Sequence, residues 1–191
     1  MKRLKIYLFR HGQTTYNRDK IFTGWKDAKL TSLGKKQARK VAKKLKGKKF
    51  QAAFCTKLSR SKETLNIVLK GHPECVEIIE ANRMIERGYG DLEGKKHSSI
   101  IKKYGKEQFD KWHRGFKTRP PKGESFADVE KRVKIFIKNL KKFMKKENVN
   151  VAISAHGNSI RLFRKVWENL SVKKTCELFV PYDKVFIYEV K

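Results

Sequence analysis

The sequence predicts an α/β protein with a three-layer αβα architecture, a mainly parallel sheet and a small inserted cap. Short apolar runs of strand length alternate with amphipathic helical patterns, and one glycine- and proline-rich stretch interrupts the alternation. Strands that alternate with helices imply crossover connections, which cover a parallel sheet on both faces. Because the chain has 191 residues, we expect one domain over residues 1–191.

Five runs rich in branched and aromatic residues are predicted to be buried strands. Each is bounded by charged residues or turn formers. The runs are Leu4–Phe9, Gln51–Cys55, Cys75–Ile79, Val149–Ser154 and Val185–Val190.

Helices are predicted from apolar residues that recur at steps of three and four. One such pattern runs from Ala38 to Leu45, and a longer one from Phe126 to Met144. Ser125, with Asp128 three positions later, predicts a capping box at the start of the longer helix.

The stretch from Ala81 to Pro121 breaks this rhythm with five glycines and the Pro120-Pro121 pair. Long irregular segments within compact domains usually carry function. We therefore expect this stretch to form the cap beside the sheet.

The charge balance favours anionic partners. The chain has 48 lysine and arginine residues against 19 acidic ones, a net charge of +29. Nucleic-acid binding is not favoured as the main role, because lysines outnumber arginines 36 to 12 and no recognition motif is present. No apolar stretch approaches the ~20 residues that a bilayer requires. Three scattered cysteines indicate neither disulfides nor a zinc site, so we expect a cytoplasmic protein.

Two segments place a His-Gly pair at the carboxyl end of a predicted strand: Arg10-His11-Gly12 and His156-Gly157. Ligands of open α/β sheets bind at this edge. Glycine allows close backbone approach, and the helix expected after Gly157 would direct its free N–H groups at an anion. One such histidine alone is more often structural, but the two together with Arg10 predict that both face one phosphate.

These motifs resemble the signature ends of the histidine phosphatase superfamily, and the resemblance extends from Leu4 to about Tyr188. Within it, the chain is most similar to the 2,3-bisphosphoglycerate-dependent phosphoglycerate mutases. The shared segments are Asn17, Phe22-Thr23-Gly24-Trp25 with Asp27 and Leu30, Thr56-Lys57-Leu58-Ser59-Arg60, Glu86-Arg87, Tyr89-Gly90, Tyr104-Gly105, Glu107-Gln108, Trp112, Arg114-Gly115-Phe116, Pro120-Pro121, Gly123-Glu124-Ser125 and His156-Gly157-Asn158-Ser159-Ile160-Arg161.

The resemblance implies a role for each site residue. His11 is the nucleophile that carries the phosphoryl group, and Glu86 is the general acid and base. Glu86 has a second interpretation from the sequence, a surface carboxylate paired with Arg83 or Arg87. The residues that the resemblance assigns to phosphoryl or substrate binding are Arg10, Arg60, His156, Asn17, Thr23, Gly24, Tyr89, Arg114, Gly157 and Asn158.

The resemblance also implies partners. It implies a small phosphorylated substrate, 2,3-bisphosphoglycerate as the phosphoryl primer, and no metal. A homodimer is expected from the family alone.

Two histidines depart from the mutase pattern. His113 stands where mutases place the first arginine of a basic pair, and His97 where they place a lysine. With an ordinary pKa of ~6.5, His113 is expected to contribute more charge at mildly acidic pH. Three features are expected to favour hydrolysis over phosphoryl return. They are the weaker anion contacts, the short connection from Pro121 to Gly123 and the end of the chain at Lys191. Lys117, Arg119 and Lys122 are expected to offset lost charge.

Three functions follow from these residues. The first is interconversion of 3-phosphoglycerate and 2-phosphoglycerate, in glycolysis and gluconeogenesis, through a phosphohistidine. The second is hydrolysis of small phosphomonoesters by the same residues. The third is a polyanion-binding module with a degraded active site, which the complete set of candidate catalytic residues argues against.

Overall fold

The computed structural model describes residues 3–190, and this range forms five strands and eight α-helices. The strands are β1 Leu4–Arg10, β2 Ala52–Cys55, β3 Glu77–Glu80, β4 Val151–Ala155 and β5 Val185–Val190. The helices are α1 Thr15–Arg18, α2 Ser32–Leu45, α3 Ser59–Leu69, α4 His97–Tyr104, α5 Lys106–Arg114, α6 Phe126–Glu147, α7 Gly157–Glu168 and α8 Val172–Glu177. The ends of the predicted 1–191 domain lie outside the described residues.

The strands form one sheet in the order β3-β2-β4-β1-β5. β1, β2, β3 and β4 run parallel to one another, whereas β5 pairs antiparallel with β1. The predicted α/β class with a mainly parallel sheet is therefore confirmed. β1 and β4 are adjacent in the sheet, with Arg10 opposite Ala155 at their carboxyl ends.

Each face of the sheet is covered by a pair of helices. Alternate residues of β1 point to opposite faces, as the period of a strand requires. Leu4, Ile6 and Leu8 pack in one core with α6 and α7, whereas Tyr7 and Phe9 pack in the other with α2 and α3. Each fully buried large apolar side chain contributes about 1.5–3 kcal/mol, so these two cores hold the sheet in place.

The interpretation of Cys75–Ile79 as a buried strand is wrong. The strand observed there, β3, is at the edge of the sheet and pairs only with β2. Its residues are exposed or half-buried, and Ile78 retains 54% of its exposure. At the other edge, β5 alternates between buried and more exposed positions.

Several predicted helix signals are confirmed. Ser125 and Asp128 form a reciprocal capping box at the start of α6, and the helix after His156 is α7. Among residues 3–190, no helix is both long and apolar enough to cross a bilayer.

The segment from Ala81 to Pro121 contains two short 3₁₀ turns, followed by the helices α4 and α5. A small apolar cluster lies beneath these helices, built from Phe22, Tyr89, Leu92, Ile100 and Phe109. The fully buried Arg87 ties the beginning of the segment to its end, because it donates to the carbonyl oxygens of His113 and Thr118, each at 3.2 Å. This segment forms one wall of the cleft described below.

Candidate active site

The two His-Gly motifs meet at the carboxyl edge of the central strands. His11 follows β1 and donates its amide N–H to the carbonyl oxygen of Ala155 at 3.0 Å. His156 follows β4, and the two imidazole ring centres are 5.1 Å apart. The predicted convergence of the histidines is confirmed.

His11 is held in one tautomer. Its Nδ1 is 2.7 Å from the carbonyl oxygen of Gly12, and a carbonyl oxygen only accepts, so Nδ1 carries the hydrogen and Nε2 has the free lone pair. Burial, with the positive charges of Arg60 and Arg10, holds the pKa of His11 well below its usual range. At neutral pH His11 is therefore an uncharged imidazole with a nucleophilic Nε2.

Gly12 is required for this arrangement. A Cβ at position 12 would lie 2.2 Å from the carbonyl oxygen of Gly34, at the start of α2. The residue after the nucleophile thus has room for a hydrogen atom only.

Two arginines approach the histidines with their side chains anchored on main-chain carbonyls. Arg60, 1% exposed and in the first turn of α3, donates to the carbonyl oxygens of Gly24 at 2.7 Å and Lys26 at 2.9 Å. Arg10 donates to the carbonyl oxygen of Val180 at 3.0 Å. Its guanidinium lies 4.0 Å from the ring centre of Tyr182. These anchors orient both guanidinium groups.

Three buried nitrogen atoms in this cluster have no hydrogen-bond partner among residues 3–190: Nε of Arg10, Nε of Arg60 and Nδ1 of His156. The other ring nitrogen of His156 is 2.8 Å from the Thr56 hydroxyl. Leaving a buried polar group unpaired costs about 1–3 kcal/mol. Because the two guanidinium Nε–H groups can only donate, this cluster indicates a site for a ligand rich in acceptor oxygens.

Glu86 is a buried cleft residue. Its Oε1 accepts from the amide N–H groups of Arg87 at 2.8 Å and Asn158 at 3.1 Å. The alternative interpretation of Glu86 as an arginine-paired surface carboxylate is wrong, because it is 8% exposed and its partners are main-chain amides.

A cleft of about 200 Å³ opens above these residues. Of the residues assigned by resemblance, it is lined by Arg10, Asn17, Thr23, Gly24, Glu86, Tyr89, Arg114, Gly157 and Asn158. His11, Arg60 and His156 are each at most 2% exposed and lie behind this lining. The structure thus brings all twelve assigned residues to one site.

The polar groups of the lining are partly committed to one another. Oδ1 of Asn17 accepts from the amide and the hydroxyl of Thr14, so only its NH₂ group remains for a ligand. Nδ2 of Asn158 donates to the hydroxyl of Tyr89 at 3.2 Å. These bonds fix the side chains before any ligand binds.

His97 and His113 both line the cleft, 5.2 Å apart between ring centres and packed against Phe22. Burial first, then the neighbouring Arg114, lowers the pKa of His113 to about 3. Burial likewise lowers the pKa of His97. The expectation that His113 gains charge at mildly acidic pH is therefore wrong: this wall carries two neutral imidazoles beside one arginine.

The sequence interpretation missed several lining residues, of which Arg161 is the most telling. Arg161, on α7, is 5% exposed and donates to the carbonyl oxygen of Leu178 through Nε and Nη2, at 2.9 and 2.6 Å. It also contacts Oδ1 of Asn158. Burial, then Arg114, lowers its pKa to about 9. Its place in the motif that begins at His156 was the available signal.

Tyr182 and Phe179 also line the cleft, from the connection between α8 and β5. No periodicity marks this connection in the sequence. Its contact with the site depends on the tertiary fold, so sequence reasoning gave no signal for it.

Comparison with known proteins identifies the family. The family model of branch 1 of the histidine phosphatase superfamily matches residues 6–191. The chain belongs to this superfamily. Among similar proteins is a phosphoglycerate mutase of Schizosaccharomyces pombe, 40% identical over 92% of this chain and 87% of that protein. A 2,3-bisphosphoglycerate-dependent phosphoglycerate mutase of Parvibaculum lavamentivorans is 37% identical over 97% of this chain and 90% of that protein.

Two solved structures share the fold. Bacillus stearothermophilus YhfR superposes with a TM-score of 0.83 at 26% identity, covering 96% of this chain and 90% of that one. The α-ribazole phosphatase of Shigella flexneri has a TM-score of 0.82 at 23% identity, covering 96% and 89%. At 23% identity, the similarity to the Shigella flexneri structure shows a shared fold and nothing more.

Proposed function

We propose that this histidine phosphatase superfamily member is a 2,3-bisphosphoglycerate-dependent phosphoglycerate mutase that interconverts 3-phosphoglycerate and 2-phosphoglycerate through a phosphohistidine at His11. The observation that carries the phosphoryl site is the group of three unpartnered nitrogen atoms beside the neutral His11. The mutase assignment is supported by relatives of that name at 37% and 40% identity.

In the first step, Nε2 of His11 attacks the phosphorus atom. An N–P bond forms as the P–O bond to the phosphoryl donor breaks, so one difficult transfer becomes two easier ones. Arg10, Arg60 and His156 stabilise the charge on the phosphoryl oxygens. Because their side chains are anchored and buried beforehand, little reorganisation is needed as the charge moves.

Glu86 handles the proton. Its carboxyl group protonates the oxygen that leaves phosphorus, and the carboxylate then takes the proton of the hydroxyl that accepts the phosphoryl group from His11. The amides of Arg87 and Asn158 hold Oε1, which leaves Oε2 for this exchange. The phosphoryl group on His11 passes to the free hydroxyl of the phosphoglycerate, and the phosphoryl group that this molecule already carried passes to His11, which releases the isomer and regenerates the phosphohistidine.

The site fits 2,3-bisphosphoglycerate. Among the residues that the structure describes, the lining carries Arg10, Lys20, Arg114 and Arg161 against the carboxylate of Glu86. Two guanidinium Nε atoms, of Arg10 and Arg60, find no partner within the same part of the chain. When bound, 2,3-bisphosphoglycerate supplies the phosphoryl group that first loads His11. Arg114 is the residue that we assign to the carboxylate of the substrate, with Asn17, Thr23, Gly24, Tyr89, Gly157 and Asn158 around it.

A phosphatase is the second candidate, and one observation favours it. The neutral His97 and His113 add no positive charge beside Arg114 for holding a second anionic group. A phosphoglycerate held loosely would leave before the phosphoryl group returned to it, and water would take that group instead.

The direct test is an assay of the purified protein with 3-phosphoglycerate, with and without 2,3-bisphosphoglycerate, in excess EDTA. Both 2-phosphoglycerate and free phosphate are measured. We expect 2-phosphoglycerate as the main product, stimulated by 2,3-bisphosphoglycerate. A ratio of 2-phosphoglycerate to free phosphate well below one, unchanged by added 2,3-bisphosphoglycerate, would support the phosphatase. Activity restored only by a divalent metal would contradict the mechanism; metal independence stays a prediction until then.

His113→Arg tests the substrate wall. The substitution adds a permanent charge beside Arg114, and we expect KM for 3-phosphoglycerate to fall by about tenfold if a charge-assisted bond forms. Since the pKa of His113 is about 3, the imidazole is neutral at both pH 6 and pH 8, and the gain should be similar at the two. A gain confined to pH 8 would show that the wild-type His113 is charged at pH 6.

A homodimer and a cytoplasmic location stay predictions.

A further inference from the structure

Glu93 connects two loops of the site although it does not line the cleft. This half-buried residue follows the 3₁₀ turn Gly90–Leu92. One of its carboxylate oxygens, Oε1, accepts from the amide N–H of Trp25 at 3.0 Å and from that of Tyr89 at 2.9 Å. A single atom therefore holds Trp25 and Tyr89, which are 64 positions apart in the chain.

The bond to Trp25 acts directly on the anchor of Arg60. The amide of Trp25 and the carbonyl of Gly24 belong to the same peptide group, which is planar and rigid. That carbonyl oxygen accepts from Nη2 of Arg60 at 2.7 Å. The position of Glu93 thus sets the orientation of the peptide that orients Arg60, and a carboxylate on the N–H side strengthens the carbonyl as an acceptor.

The backbone at Gly24 is shaped to admit Glu93. Gly24 has a φ of +51°, in the left-handed region, and a Cβ there would lie 1.9 Å from Oε1 of Glu93. A residue with a side chain would both strain the backbone and displace the carboxylate.

The second bond acts on the loop that carries Glu86. Three successive amides after Glu86 are each held by a glutamate: Arg87 by Glu86 itself, Gly88 by Glu124 and Tyr89 by Glu93. In addition, Nε1 of Trp25 donates to the carbonyl oxygen of Glu86 at 2.8 Å. Glu93 is the member of this set that also holds the Gly24–Trp25 peptide on which Arg60 is anchored.

We propose that Glu93 is a positioning residue for phosphoryl transfer, which holds the Gly24–Trp25 peptide behind Arg60 in register with the loop that carries Glu86. The inference rests on the proposed phosphoryl-transfer site, but not on whether the acceptor is a phosphoglycerate or water.

The test compares Glu93→Ala with Glu93→Gln. Both substitutions remove the charge, but glutamine keeps an oxygen that can accept from both amides. The readout is the affinity for orthovanadate, a mimic of the transferring phosphoryl group, measured by titration calorimetry. The melting temperature of each variant is measured as well, to show that it folds. The matched control is Asp91→Ala, which removes an exposed carboxylate of the same turn that pairs with Lys122.

We expect Glu93→Ala to weaken vanadate binding by about tenfold or more, because both amides lose the oxygen that accepts from them. Glu93→Gln should stay within about threefold of wild type, and Asp91→Ala should bind like wild type. If Glu93→Ala does not fold, Glu93→Asp is used instead, since its shorter side chain cannot reach both amides; it should also weaken binding.

Unchanged vanadate affinity in folded Glu93→Ala would overturn the proposal. A loss as large in Glu93→Gln as in Glu93→Ala would overturn it too. Failure of the proposed mutase function shows separately, as absent 2-phosphoglycerate in a wild-type protein that still binds vanadate.

Discussion

His11→Ala is expected to abolish turnover and covalent phosphorylation, with a loss of about 10⁴-fold or more. The reason is that Nε2 of His11 is the only nucleophile that we place at the phosphoryl site, and the surrounding donors stabilise charge without forming a bond. Turnover is measured with the substrate that the wild type uses best. Covalent phosphorylation is measured as acid-labile phosphate on the protein after brief mixing with a phosphoryl donor.

The control for this variant is His72→Asn. His72 is also buried, but it packs against Phe50 and pairs with Glu74, away from the cleft. We expect that variant to be labelled like wild type. Acid-labile phosphate on His11→Ala would show that another side chain carries the phosphoryl group.

Arg60→Met is expected to lower the rate of His11 phosphorylation by about 10²- to 10³-fold, the scale of an oxyanion-stabilising donor. It should also change the pH dependence. The charge of Arg60 disfavours the protonated form of His11 and so contributes to its low pKa. Without that charge the pKa of His11 rises, more imidazole is protonated at pH 6 than in wild type, and the variant should lose relatively more activity between pH 8 and pH 6.

Single-turnover phosphorylation at pH 6 and pH 8 measures both effects. Arg39→Met, at an exposed position of α2, is the control for loss of an arginine. Arg60→Lys keeps a charge in place if the methionine variant is unstable, and should retain a pH ratio closer to wild type. A rate within about threefold of wild type would contradict the role of Arg60.

The part of the site that could be predicted from sequence is the part set by strand ends. The apolar runs before His11 and His156 define two strands, and parallel strands bring their carboxyl ends to one edge. Gly12 and Gly157 marked the positions where the backbone must approach closely. The convergence of the two histidines followed from these local patterns and from the family resemblance.

What the sequence could not predict depends on neighbours distant in the chain. The apolar run Cys75–Ile79 predicted a buried strand, but the strand observed there, β3, lies at the edge of the sheet and stays largely exposed. The low pKa of His113 arises from its packing near Phe22 and Arg114. In the sequence, nothing distinguishes Glu93 from the other charged residues of the cap. Only the folded chain shows that it accepts from the amides of Trp25 and Tyr89.

The most direct test of the central claim follows one phosphoryl group. The protein is mixed with 2,3-bisphosphoglycerate labelled on phosphorus, the modified residue is mapped, and the labelled protein is then mixed with unlabelled 3-phosphoglycerate. We expect the label on His11, and then its transfer to phosphoglycerate. Release of the label as inorganic phosphate, with none on phosphoglycerate, would contradict the mutase; label on any residue other than His11 would contradict the phosphohistidine mechanism itself.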